Sequence, residues 1–188
     1  MLLYHCTSLP SLVMIRKAGY IGLNGDDYAR LIRGILTKME VPPDKIDRYC
    51  VKEVIPGVEE YAPNGMVSFW PYFKLGKASG FYSLFGRNNG ESFGHTLWLA
   101  IKYGARVKKQ KADTYRYLLR YFKKHNTPVV IEVDLPVCEI SNVEQLHNNT
   151  ELYTKGKVPF TYAKRLFYLS KDGTTIIKKK KLHHRYAH

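Results

Sequence analysis

The side chains of this 188-residue sequence that could do chemistry fall into three groups. The first is an imidazole. His5 ends the apolar run Leu2-Leu3-Tyr4, with the hydroxyl of Thr7 two residues on. A histidine so placed can hold a hydroxylated ligand through a ring nitrogen, or it can serve the structure alone by bonding nearby backbone. The second group is carboxylates. Glu151 stands directly ahead of Leu152-Tyr153-Thr154-Lys155-Gly156-Lys157-Val158-Pro159, Glu91 lies in a glycine-rich stretch, and Glu132 and Asp134 alternate with apolar residues, which places both on one strand face. Any of them could stabilise positive charge developing on a substrate, and each has the alternative reading of a surface charge. The third group would handle nucleic acid. Tyr72, Phe73, Phe81, Tyr82 and Phe85 offer π-faces on which a base or a ring can stack for about 1–3 kcal/mol, or else they pin a long loop to the core. Beyond residue 156, nine Lys and Arg stand against Asp172 alone, so +8 of the chain's +14 charge lies in its last 32 residues. Lys178, Lys179, Lys180, Lys181 and Arg185 can follow phosphates by releasing counterions, or they can simply form a solvated end.

Several classes of chemistry are excluded or disfavoured. The sequence has no GxxxxGK[ST] phosphate loop and no GxGxxG between a strand and a helix, so ATP and dinucleotide chemistry of those kinds lacks its signature. Of the seven histidines, only His183, His184 and His188 cluster, at the frayed end, so no metal site is expected. Cys6, Cys50 and Cys138 are odd in number with no CxxC pair, which fits a reducing compartment and small buried side chains. No apolar run approaches the roughly 18 to 20 residues of a membrane span, and the first residues carry no signal-peptide pattern. The expected setting is the cytoplasm or a host cell interior, with no membrane partner.

The elements that must position these groups follow from periodicity. Residues 2–6 read as a strand, and Ser8 with Pro10 opens a short helix carrying Leu12, Val13 and Ile15 to Gly19. Asp26 is placed to cap a helix whose apolar residues Tyr28, Leu31, Ile32, Ile35, Leu36 and Met39 share one face. Pro42 and Pro43 break it, a shorter helix runs through Ile46, and Pro56, Pro63, Asn64 and Gly65 mark a mostly irregular stretch. Residues 66–70 read as a second strand, 72–94 as a long binding loop or lid, and 95–103 and 113–124 as helices. Residues 129–135 form a strand, 151–158 a weaker strand or hairpin arm, and 165–169 with 174–178 a hairpin about Lys171-Asp172-Gly173. Helices early and strands late argue for an α+β fold rather than a doubly wound parallel sheet. A content of 45% hydrophobic and 13% aromatic residues suffices for one core, giving a single domain over 1–178 and a basic, flexible tail over 179–188.

Leu3-Tyr4-His5-Cys6-Thr7-Ser8 followed by Ile15-Arg16-Lys17-Ala18-Gly19-Tyr20-Ile21 resembles the NAD-binding opening of ADP-ribosyltransferases of the His-type branch. Later elements keep that family's order. Val67-Ser68-Phe69-Trp70 matches its second strand, Tyr72, Phe73 and Tyr82 its aromatics, and Glu151 through Gly156-Lys157-Val158-Pro159 its late glutamate strand. The set is most similar to DNA-targeting ADP-ribosyltransferase toxins. The resemblance implies a split β-sandwich with helices mainly in the N-terminal half and NAD as substrate. It implies Glu151 and His5 as catalytic residues, and His5, Thr7, Ser68, Tyr72, Phe73 and Tyr82 as NAD-binding. It departs at Cys6, where the family commonly has glycine, and in lacking the Ser-Thr-Ser strand of another branch.

The implied activity is mono-ADP-ribosyl transfer to a macromolecular acceptor, nucleic acid or a nucleic-acid-associated protein. A toxin or effector role would suit the family, and the sequence identifies no neutralising partner. Two rival readings stand beside it: a non-catalytic basic nucleic-acid-binding module, and a nuclease using His95 or His125 as acid or base.

Overall fold

The computed structural model describes residues 1–61, 67–73, 75, 101–109, 127–145 and 152–183. They form a mixed α+β architecture with helices mostly in the N-terminal half and antiparallel sheets. The chain divides into two compact units, one of Met1–Gly22, Met66–Ser92 and Asn126–His188, the other of Leu23–Gly65 and Phe93–His125.

The first unit is built on strands. β1 (Leu2–Ser8), β4 (Pro128–Asp134), β8 (Ala163–Leu169) and β9 (Ile176–Lys181) make a four-stranded sheet in the order β1-β4-β8-β9. β3 (Val67–Phe69), β6 (Leu152–Thr154) and β5 (Val143–Gln145) make a second sheet, β3-β6-β5, and β2 (Tyr20–Ile21) pairs with β7 (Val158–Pro159). β4 is central to the first sheet and buried on both faces. Val129, Val130, Ile131 and Val133 are wholly buried and Glu132 is 7% exposed, which explains the near-continuous apolar run in its sequence. The free side of β1 meets the end of β3 through a reciprocal pair, Tyr4 N–H to Trp70 O at 2.9 Å and Trp70 N–H to Tyr4 O at 2.8 Å.

Helix α1 (Leu9–Ala18) follows β1 directly. Extended Ser8 caps it by accepting from Ser11 N–H at 3.4 Å, and Pro10 falls in the first turn, where its missing donor costs nothing. Gly19 ends it at φ +82, a left-handed conformation that favours glycine, and donates to Ile15 O at 2.8 Å.

Among the described residues the second unit is mostly helical. Its apolar face buries Ala29, Ile32, Leu36, Val41, Ile46, Tyr49, Cys50 and Val54 between α2 (Gly25–Lys38), α3 (Pro43–Tyr49) and their neighbours. The N-cap of α2 is Asn24 rather than Asp26. Asn24 Oδ1 accepts from Asp27 N–H at 2.9 Å while Asp27 returns a bond to Asn24 N–H at 3.2 Å, a reciprocal box that Asp26 cannot make from inside the first turn. The stretch around Pro56 is also regular where the sequence suggests irregularity. A π-helical segment at Cys50–Val54 leads into α4 (Ile55–Tyr61), and its wider winding lets the chain pass Pro56, whose ring would clash with a preceding α-helical carbonyl. Residues 101–107 are helical, and Tyr103 stacks on Tyr49 with ring centres 4.1 Å apart. No described helix is long and apolar enough to cross a membrane.

Candidate functional site

β1 presents adjacent residues to opposite sides of the sheet, so Leu3, His5 and Thr7 share one face and Tyr4, Cys6 and Ser8 the other. His5 is half-buried. Its ring centre lies 5.7 Å from that of Phe69, and its Nδ1 is 2.9 Å from the carbonyl oxygen of Ser68. A carbonyl oxygen only accepts, so Nδ1 carries the proton and Nε2 is left as an acceptor. Burial pushes the imidazole pKa down to about 4, the Ser68 bond opposing the shift. The ring is therefore neutral near pH 7, suited to receiving a hydroxyl proton and unsuited to pairing with an anion. Thr7 is 3% exposed on the same face, where a side chain fixes strand packing.

β3 supplies the Ser68 carbonyl from one of its edges. Its other edge pairs with β6, Phe69 opposite Leu152 and Val67 opposite Thr154. β6 thus starts at the residue after Glu151. The turn leaving it uses Gly156 at φ +93, with Thr154 Oγ1 donating to Gly156 O at 3.4 Å, and returns the chain to β7 opposite Ile21 and Tyr20. Glu151, Tyr82 and Arg185 lie outside the described residues, as do Glu91, His95, His125, Phe81 and Phe85.

Of the rival carboxylates, the two described ones, Glu132 and Asp134, do not join His5. Register sets His5 opposite Ile131 and Tyr4 opposite Glu132, so Glu132 belongs to the face of the sheet away from the imidazole. There its carboxylate interacts with the Tyr4 hydroxyl and lies 3.6 Å from Arg165 Nε. Burial raises the Tyr4 pKa, the Glu132 charge adds to that, and Arg165 opposes it. Asp134 is exposed and pairs with the N-terminal ammonium at 3.5 Å. A register shift between Glu132 and Val133, against Arg165 and Ala163, marks the irregularity between these two acids.

Of the expected aromatics, Tyr72 is 43% exposed and Phe73 is packed away. Phe73 stacks on Tyr4 at 5.4 Å and leans on Phe167 at 4.5 Å. Sequence reasoning missed Tyr4 and Arg165. No local signal marks them, because they meet only through pairings between strands far apart in the chain.

Lys178, Lys179, Lys180 and Lys181 are exposed on β9, opposite Tyr168, Phe167, Leu166 and Arg165 in turn. The strand continues through Lys181, so three lysines assigned by composition to a tail stand on the sheet edge. Among the described residues no group of three potential metal ligands occurs. Comparison with protein-family models, with curated proteins and with solved structures finds no match.

Proposed function

We propose that the protein is an NAD-dependent mono-ADP-ribosyltransferase with a split β-sandwich, transferring ADP-ribose to nucleic acid or a nucleic-acid-associated protein. The observation that carries this reading is the pairing around β3. One edge holds the neutral His5 ring through the Ser68 carbonyl, and the other pairs with the strand that opens directly after Glu151. A bare imidazole nitrogen accepts from a ribose hydroxyl, which is the contact the reading assigns to His5. The bond between the ribose anomeric carbon and nicotinamide then breaks, its electron pair neutralising the pyridinium. The oxocarbenium character left on the sugar is stabilised by the Glu151 carboxylate. A nucleophile of the acceptor forms the new bond to that carbon and gives up its proton. Tyr72, exposed beyond β3, remains available to stack on a ring, whereas the packing of Phe73 favours a structural role.

Nicotinamide release from NAD tests the reading, measured with and without DNA, RNA and cell lysate. Glu151→Gln and His5→Ala should abolish release while leaving nucleic-acid binding nearly intact. Absence of both NAD binding and nicotinamide release from the wild-type protein under every condition would overturn it. The four exposed lysines of β9 favour a second reading, a non-catalytic nucleic-acid-binding module, for which neutralising them removes the function and NAD has no effect.

A further inference from the structure

Among the described residues β9 is the outermost strand of its sheet, and a lysine on an edge strand guards against pairing with another chain. So does a bulge. β9 has an irregularity where Ile176 and Lys178 face the consecutive residues Leu169 and Tyr168, leaving Ile177 as the extra residue. Four successive lysines exceed that protective need, and alternation sorts them by face. Lys178 Nζ lies 5.9 Å from the ring centre of Tyr168, so Lys178 and Lys180 belong to the Tyr168 face. Arg165 Cζ lies 5.8 Å from the ring centre of Phe167, and Lys179 and Lys181, in register with Phe167 and Arg165, belong to the other.

The Phe167 face therefore gathers three cations. Arg165 and Lys181 are direct cross-strand partners, an arrangement in which like charges destabilise each other. Among the described residues, the carboxylate in ion-pair range of Arg165 is Glu132, whose side chain is 9% exposed and also engages Tyr4. One shared carboxylate leaves an excess of positive charge. The cations are spaced by about 7 Å along β9 and about 5 Å across to β8, which suits neighbouring phosphates rather than a single small anion.

We propose that Arg165, Lys179 and Lys181 form a phosphate-binding site that holds the backbone of a nucleic acid across the β8–β9 edge, while Lys178 and Lys180 take little part. A phosphodiester chain is favoured over an acidic peptide strand for a geometric reason. A peptide adding to β9 would need its backbone ladder, which the bulge interrupts, and would alternate its acids between both faces. Phosphates need only cations gathered on one face. The site deepens the transferase reading by specifying how a nucleic-acid acceptor is held, yet binding there needs no NAD, so the two stand or fall separately.

The test compares two double variants of equal net charge in the full chain, Lys179→Gln/Lys181→Gln and Lys178→Gln/Lys180→Gln. Binding of a fluorescent oligonucleotide of about 20 nucleotides is followed by anisotropy without NAD, between about 50 and 200 mM salt. The first variant should weaken binding about tenfold or more and flatten the slope of log affinity against log salt by about 1.4, the loss of two phosphate contacts on a single strand. The second should change affinity by less than about threefold, because its lysines lie on the other face. Single-stranded and duplex probes show which form supplies the phosphates, and preference for either supports the site. Equal losses in both variants, no loss in either, or tighter binding of polyglutamate than of both nucleic acids would overturn it.

Discussion

Replacing His5 with glutamine should change how the protein's stability depends on pH. In the folded chain the imidazole pKa is pushed down to about 4, whereas in the unfolded chain it returns to its ordinary value of 6.5. As pH falls through 6.5 the unfolded state takes up a proton that the folded state refuses, so this group drains stability down to about pH 4, where the folded ring protonates too. Above pH 6.5 both states are neutral and the effect vanishes. Each pH unit inside the window is worth about 1.4 kcal/mol, so between pH 7.5 and 4.5 the wild-type protein should lose about 2–3 kcal/mol through His5. Glutamine fills a similar volume and its amide can donate to the Ser68 carbonyl, but it does not titrate in this range. Urea unfolding at half-unit pH intervals measures both proteins, and contributions from the other histidines cancel in the difference. The stability of wild type minus His5→Gln should fall by about 2–3 kcal/mol across that interval. Parallel curves would refute the argument that burial holds the His5 pKa down.

Two further expectations concern the framework. In α2, a methyl added at Gly34 meets open space, so Gly34→Ala should raise the thermal midpoint through about 0.5–1 kcal/mol of helix propensity. Gly25→Ala should lower it, because the new Cβ would stand 3.0 Å from the backbone of Ile55; a raised midpoint for Gly25→Ala or a lowered one for Gly34→Ala would refute the close approach and open space described at these two positions. Glu132→Leu leaves the Arg165 guanidinium and Tyr4 hydroxyl without their shared acceptor and should cost about 2–3 kcal/mol in urea unfolding, reduced from a fully buried pair by the exposure of Arg165. Adding Arg165→Met should restore part of that loss, and strict additivity would show that the two side chains are not coupled.

The strands β1, β4 and β8 and the helix α2 were legible in the sequence because burial writes itself into local periodicity. The hairpin turn was legible for a different reason. Asp172 accepts from Ser170 Oγ, Thr174 N–H and Thr174 Oγ1, so the turn chemistry is contained in five consecutive residues. α4 was hidden because proline forbids a regular α-helical interior, and nothing local announces a π-helical segment that accommodates it. The run from Lys179 to Lys181 resembles a tail since lysine is depleted in strands, yet pairing with β8 supplies its backbone bonds whatever the side chains prefer. At the site, His5 and Ser68 were readable as candidates one by one, but the bond between them spans 63 residues. The Tyr4–Glu132–Arg165 group likewise depends on register, which no single segment encodes.

The pairing of β1 with β4 sets Leu2 against Asp134, so β1 is completed only after the chain has grown by well over a hundred further residues. On a ribosome, the helices between them can close their own short-range contacts while Leu2–Ser8 still has an unsatisfied edge on both sides. Loop-closure entropy then makes docking of that strand a late and slow event, and until it happens His5 stays solvated with an ordinary pKa. Newly synthesised chains should therefore pass through an interval in which the helical unit is protected from hydrogen exchange and the imidazole face does not yet exist.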